Sequence, residues 1–228
     1  MYERSDLSAR LERAGVGRAL AEKLARYGVA LLESNRRGNL TGAKTNEELV
    51  PHLLDSLTVV PYIGNPHADV GSGGGMPAIP AAIATGVSLT LIESVAKKAV
   101  FLRSVLGELE LEGTVVHERA EVAGHEPAFR AKFATASARA VATASTVAEL
   151  LLPLLAIGGR AILQRGRIGS DERAALEDAA LMLGGRVSRE ESLDGERRII
   201  ILEKIAPTPQ RFPRRPGIPE KRPLCMRR

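Results

Sequence analysis

Residues 69–80 read DVGSGGGMPAIP, with four glycines in positions 71–75. Glycine has no Cβ and reaches backbone conformations closed to other residues, so such a run bares its peptide groups. Fixing it costs roughly 0.5–1 kcal/mol per glycine relative to Ala in a regular element, which argues for a use beyond turning the chain. Asp69 stands just before the run, and Glu93 closes the apolar stretch VSLTLIES (87–94) that follows it. A glycine turn after the first strand of an open α/β sheet lets a nucleotide approach the backbone, and an acid after the second strand accepts hydrogen bonds from ribose hydroxyls. These residues point to nucleoside binding.

Two cofactor classes use such a turn. Gly73-x-Gly75-x-x-Ala78 satisfies the degenerate dinucleotide pattern. Asp69-Val-Gly71-Ser-Gly73-Gly-Gly75 resembles the acid-x-G-x-G-x-G turn of S-adenosylmethionine (SAM) methyltransferases. Glu93 supports either. Further on, Glu118-Arg119-Ala120-Glu121 offers a small residue and an acid where a third strand ends, suited to an adenine ring and its exocyclic amine. SARAVA (137–142) puts Arg139 near the end of a fourth strand, a place that packing alone explains poorly.

The elements that must position these groups alternate. Helical spacing of Leu7, Leu11, Val16, Leu20 and Leu24 predicts two helices over 5–34, broken near Gly15–Gly17, with a polar turn SNRRGNLTGAK after them. Thr45 and Glu48 form a capping-box pair, with Pro51 as an alternative helix start. From 66 onwards strands are expected at HADV (67–70), VSLTLIES, TVVHERA (114–120), KFATASARAVA (132–142), GGRAILQRG (158–166), GRVSREESL (185–193) and ERRIIILEK (196–204). Between them lie helices at 76–86, 96–113 (ending at Gly113), 145–155 and 170–183, the last N-capped by Ser170. Strand and helix at this interval predict βαβ units and a mostly parallel sheet, closed by an antiparallel pair.

Composition sets the outer limits. The 228 residues are 44% hydrophobic and 26% charged, ordinary for a globular chain. No apolar run approaches bilayer length, and the charged N-terminus shows no signal-peptide pattern. A single cysteine, Cys225, excludes an internal disulfide, and the four histidines lack metal-ligand spacing. A cytoplasmic, metal-free protein without membrane partners is expected. The net charge of +5 is uneven: residues 207–228 carry seven of the 32 Lys/Arg and one of the 27 Asp/Glu. A basic tail suits a phosphate backbone.

In order along the chain, NLTG (39–42), HLLDSL (52–57), DVGSGGGMPAIP, LIESVAKKAVFLR (91–103), RAEV (119–122), ARAVA (138–142), GERRIIILEK (195–204) and FPRRPGIPEKRPL (212–224) resemble the ribosomal RNA small-subunit methyltransferase G family, also called glucose-inhibited division protein B. The resemblance implies a Rossmann-like class I SAM-dependent fold, a seven-stranded, mostly parallel sheet flanked by helices. It divides the chain into an N-terminal helical extension (1–60), a SAM-binding domain (61–205) and a basic C-terminal tail (206–228). It implies methyl transfer to N7 of a guanine in a loop of 16S rRNA, with naked rRNA or the 30S subunit as partner and a monomer as the working state. Gly71 and Met76 would line the SAM site with Asp69, Gly73 and Glu93; Ala120 and Glu121 would meet the adenosine, and Arg139 would complete the pocket. The chain departs from the family pattern at Ala78, where glycine is usual, at Glu93 (aspartate) and at Arg165 (lysine).

Guanine N7 carries a lone pair and no proton, so its methylation needs no general base, and no nucleophile–base constellation is found. RNA would be held by phosphate contacts, for which Arg139, Arg165, Arg197, Arg214 and Arg215 are the leading candidates and Arg36, Arg37, Lys44, Lys221 and Arg222 further ones. Phe212 suits either a stacked base or a hydrophobic anchor for the tail. His52 and Asp55, three apart on one helix face, could border the cofactor mouth. An NAD-dependent oxidoreductase and a non-enzymatic ribosome-assembly factor stand as alternatives.

Overall fold

The computed structural model describes residues 2–139, 142–193 and 195–225. Ala140 and Val141 of the ARAVA segment and Arg227 and Arg228 of the tail lie outside these described residues. Helices α1 (Arg4–Arg13) and α2 (Arg18–Gly38) break where Gly15 and Gly17 predict. The turn expected from Ser34 is instead the last turn of α2, which ends at Asn39 with φ +48. Polar residues there face solvent and need no break, while Asn35 holds the chain that follows. Its Oδ1 accepts from the N–H groups of Leu40 (2.7 Å) and Thr41 (3.0 Å), and its Nδ2 donates to the carbonyls of Thr41 and Ala43.

Helix α3 (Asn46–Leu57) starts at Thr45, whose Oγ1 accepts from Glu48 N–H at 3.2 Å. Pro51 lies inside it, so the alternative start there is corrected: the cap outweighs one missing backbone donor. The capping box is displaced by one residue, because Glu48 Oε2 accepts from Lys44 N–H rather than from Thr45.

The sheet then builds through β1 (His67–Val70), α4 (Ala78–Thr85), β2 (Leu89–Ile92), α5 (Ala96–Glu108), β3 (Gly113–Val116), α6 (Ala120–Ala123), β4 (Phe133–Arg139), α7 (Ala144–Leu151), β5 (Leu155–Arg165), α8 (Ser170–Met182), β6 (Gly185–Ser192) and β7 (Arg198–Lys204). Helix α5 ends at Glu108, and Gly113 opens β3 instead of closing the helix. The strand expected to reach Ala120 stops at Val116, since Ala120 begins α6. Gly169, not Ser170, is the N-cap of α8, and no side chain caps it.

The seven strands are ordered β3-β2-β1-β4-β5-β7-β6. The first five are parallel, and β7 runs antiparallel to both β5 and β6. The order reverses between β1 and β4, which opens a crevice at their carboxyl ends. Two hydrophobic clusters flank the sheet. One joins α1, α2 and α3 to α4, α5 and β2 through residues such as Leu24, Leu31, Leu53, Ile79, Leu91 and Leu102. The other joins α7 and α8 to β4 and β5 and takes in Phe212 and Leu224 of the tail. The tail is therefore packed as far as Leu224, with a short helix α9 (Ile218–Lys221), and Phe212, 3% exposed, is its hydrophobic anchor.

Candidate functional site

The glycine turn sits in the crevice between β1 and β4. Gly71, Gly73 and Gly75 have φ of +68, +55 and +95, conformations that a side chain resists. A Cβ on Gly74 would lie 2.8 Å from the Leu40 carbonyl oxygen and 2.9 Å from Leu31, so the turn also lies tight against the N-terminal helices. Tyr27, fully buried on α2, donates its hydroxyl to the Gly74 carbonyl at 2.6 Å.

Asp69 is buried beneath this turn. Ser137, its register partner on β4, donates Oγ–H to Asp69 Oδ1 at 2.5 Å, and Ser72 Oγ donates to the Asp69 carbonyl at 3.0 Å. Burial pushes the Asp69 carboxyl up to about 7, against the pull of the Ser137 and Ser72 hydroxyls and of Arg139. With its proton directed at Asp69, Ser137 accepts from His67 Nε2 at 3.0 Å. Burial lowers the His67 imidazole to about 3, so it is neutral.

Glu93 is longer by one methylene than the aspartate expected of the family, and both of its oxygens are in use. Oε2 accepts from Gly73 N–H at 2.8 Å and Oε1 from Val95 N–H at 2.7 Å. It thus braces the glycine turn against the start of α5.

Beside the turn lies a cavity of about 560 Å³ whose lining includes Met76, Arg139, Arg165, Arg197, His52 and Asp55. Six sequence-selected residues thus meet in one place, from α3, the approach to α4, β4, β5 and the β6–β7 turn. Asp55 organises them: its Oδ2 is 3.5 Å from Arg139 Nη1 and its Oδ1 accepts from Arg197 Nη1 at 2.9 Å. Arg165 donates to the Ala142 carbonyl at 2.9 Å and to Glu172 at 2.6 Å. Gln164 donates to the Asp55 carbonyl at 2.6 Å, tying α3 to β5. Partial burial and the Arg139 charge hold His52 below the usual histidine range, with Asp55 opposing.

On the far side of the turn, Ala120 and Glu121 are buried at the head of α6. Glu121 is engaged already: Arg119 Nη2 and Gly217 N–H both donate to its Oε1 at 2.8 Å. Burial works to raise its carboxyl, but these hydrogen bonds hold it below the usual range. Gly217 belongs to the tail, so the tail reaches Glu121 at the head of α6. Arg214 does not project toward a ligand. Its Nε and Nη2 donate to fully buried Glu149 of α7 at 2.9 and 2.6 Å, and its backbone N–H donates there at 2.8 Å. Its neighbour Arg215 is exposed.

Several of these roles escaped the sequence reading. Ser137 was findable from the β1–β4 register, because alternation along β4 puts it on the face of Arg139. Nothing in the sequence marks Glu149, Tyr27 or Asn35, whose partners lie 65, 47 and five or more residues away.

The family profile described as GidB: rRNA small subunit methyltransferase G matches residues 20–201. The chain belongs to this family. A relative from Chloroflexus aggregans, a ribosomal RNA small subunit methyltransferase G, is 44% identical over 87% of this chain and 88% of its own. One of the same description from Pelotomaculum thermopropionicum is 39% identical over 92% and 94%. Among solved structures, the mitomycin 7-O-methyltransferase MmcR matches with TM-score 0.56 at 14% identity over 88% of this chain and 67% of that one. Geranyl diphosphate C-methyltransferase from Streptomyces coelicolor A3(2) matches with TM-score 0.55 at 11% identity over 67% and 79%. These structures share the fold, the class I methyltransferase sheet with its order reversing at β1 and β4. Family membership removes the dinucleotide oxidoreductase reading.

Proposed function

We propose that the protein is a SAM-dependent methyltransferase that modifies N7 of a guanine in a loop of 16S rRNA. The carrying observation is the glycine turn at the β1–β4 crevice, opening beside the arginine-lined cavity. Gly71 and Gly73 form a cradle with no side chains, braced by Glu93 over buried Asp69; this bare backbone leaves room that fits SAM. Bound there, SAM supplies an electrophilic methyl group on a sulfonium. The protein's own work is positioning, since a guanine N7 lone pair needs no base. Arg139 pairs loosely with Asp55 and, with five N–H donors, keeps capacity to hold the acceptor nucleotide. Arg165 and Arg197 border the same cavity, and Arg215 is exposed on the tail. Among the described residues no helix is long and apolar enough to cross a membrane and no acidic, histidine or cysteine cluster could hold a metal. The working setting is the cytoplasm, on 16S rRNA or the 30S subunit, with the protein as a monomer.

The test is transfer of labelled methyl from SAM to 30S particles from cells lacking the modification, followed by mapping of the labelled base. Label on a single guanine N7 is expected. SAM binding without label on RNA, or label on another atom, overturns the reading.

A further inference from the structure

Four of the five arginines that lead the RNA candidates in the sequence are held by carboxylates: Arg139 and Arg197 by Asp55, Arg165 by Glu172 and Arg214 by Glu149. Most of their charge is neutralised locally, so long-range attraction for a polyanion must come from elsewhere. The described residues enclose a larger hollow than the cavity beside Arg139. It is a groove of about 1270 Å³ between the C-terminal end of α2 and the start of α5. Arg36 and Arg37 from α2 and Lys97 from α5 stand on its walls, all exposed, against one carboxylate, Glu33. Among the described residues none pairs with or hydrogen-bonds the side chains of these three cations. Leu40, Phe101 and Val100 give the groove apolar surface, Val100 being 62% exposed, beside Tyr2, Ser34 and Ser104. Unpaired cations beside apolar surface match a single-stranded nucleic acid, which presents phosphates and base faces together.

The groove and the catalytic cavity also share a wall. Leu40 lines both. It is fixed from one side by Asn35, which accepts from its N–H, and from the other by close approach to Gly74 of the glycine turn. A strand lying in the groove therefore passes the cofactor turn before reaching Arg139.

We propose that this groove carries the sugar–phosphate backbone of the loop nucleotides flanking the target guanine, gripped by Arg36, Arg37 and Lys97, with the chain entering the cavity over Leu40. The assignment rests on the RNA methyltransferase reading above and extends it to a binding track outside the cavity.

The experiment compares the full-length protein with its Arg36→Ala/Arg37→Ala variant. RNA affinity is measured against salt with a 16S rRNA fragment containing the acceptor loop, and methyl transfer with unmodified 30S particles. A single-strand phosphate contact contributes about 0.7 to the slope of log K against log salt, so losing two should flatten it by roughly 1.4. KM for RNA should rise about tenfold, with kcat and SAM affinity unchanged; Arg36→Lys/Arg37→Lys should restore the slope. Lys97→Ala, on the opposite wall, gives an independent loss of about half the size. An unchanged slope and KM in both alanine variants, with SAM affinity intact, overturns the groove. The two readings separate cleanly. A slope that depends on Arg36 and Arg37 without methyl on guanine N7 keeps the groove and removes the reaction. Methylation with an indifferent slope keeps the reaction and removes the groove.

Discussion

Replacing Arg214 with Met should release the C-terminal tail. Glu149 is fully buried, and Arg214, 25% exposed, gives it three side-chain hydrogen bonds, from Nε to both oxygens and from Nη2 to Oε2, at 2.6 to 3.1 Å. Removing one partner of a buried pair costs about 3–5 kcal/mol, because the other charge stays desolvated. The protein escapes that cost by letting the tail lift, which returns Glu149 to water. The opening equilibrium of residues 208–222 should therefore rise by about two to nearly four orders of magnitude. Amide hydrogen exchange across the tail measures this, and trypsin cleavage after Arg211 and Lys221 gives a second reading. A double variant, Arg214→Met/Glu149→Leu, removes both charges and leaves only the Arg214 backbone N–H without its acceptor, about 1–3 kcal/mol. It should open less than the single variant. Exchange in Arg214→Met within threefold of the parent protein, or a double variant that opens as far as the single one, refutes the buried-pair reasoning. Because Gly217 N–H bonds to Glu121, the same release should weaken SAM binding, which calorimetry reads separately.

Three shorter predictions concern the cofactor turn. Gly71→Val forces a β-branched residue to φ +68 and fills the cradle, so SAM affinity should fall at least a hundredfold by calorimetry; unchanged affinity removes Gly71 from the site. Tyr27→Phe leaves the buried Gly74 carbonyl without its 2.6 Å donor, which should cost about 1–3 kcal/mol in urea unfolding and loosen SAM binding; a cost near zero would mean that the turn is held without α2. Asp69 keeps its proton to about pH 7 when folded, against an ordinary aspartate value of 3.8. The folded state therefore binds more protons between these values, and the contribution of Asp69 to stability is full at low pH and lost as pH rises through about 7. Asp69→Asn should flatten the decline in unfolding free energy between pH 5 and 8; an identical slope in both proteins would contradict burial as its cause.

The sequence carried its own answer wherever the physics is local. Strand and helix periods, Gly15 and Gly17 between the first helices, and the backbone freedom needed at residues 71–75 are properties of neighbours in the chain, and each element appears where those properties require it. Local rules misplaced element ends and passed over the short helices α6 and α9. Asn39 in the left-handed conformation stops α2 later than composition suggested, and a capped Thr45 let a helix run through Pro51. The positions of the glycine turn and Glu93 were legible because both lie at strand ends within one βαβ unit; that Glu93 braces the turn through Gly73 and Val95 was not. What the arginines do was not legible. Arg214 and Arg215 are adjacent and chemically alike, yet one is locked to buried Glu149 and the other faces solvent. Arg139 and Arg197 converge on Asp55 from positions 84 and 142 residues away, while Arg36 and Arg37 stay unpaired among the described residues. A charge becomes a structural tie or a free phosphate contact according to whether a carboxylate lies within about 4 Å and is shielded from water. That distance is set by the packing of α3, α7 and the tail on the sheet, and only the tertiary structure decides it.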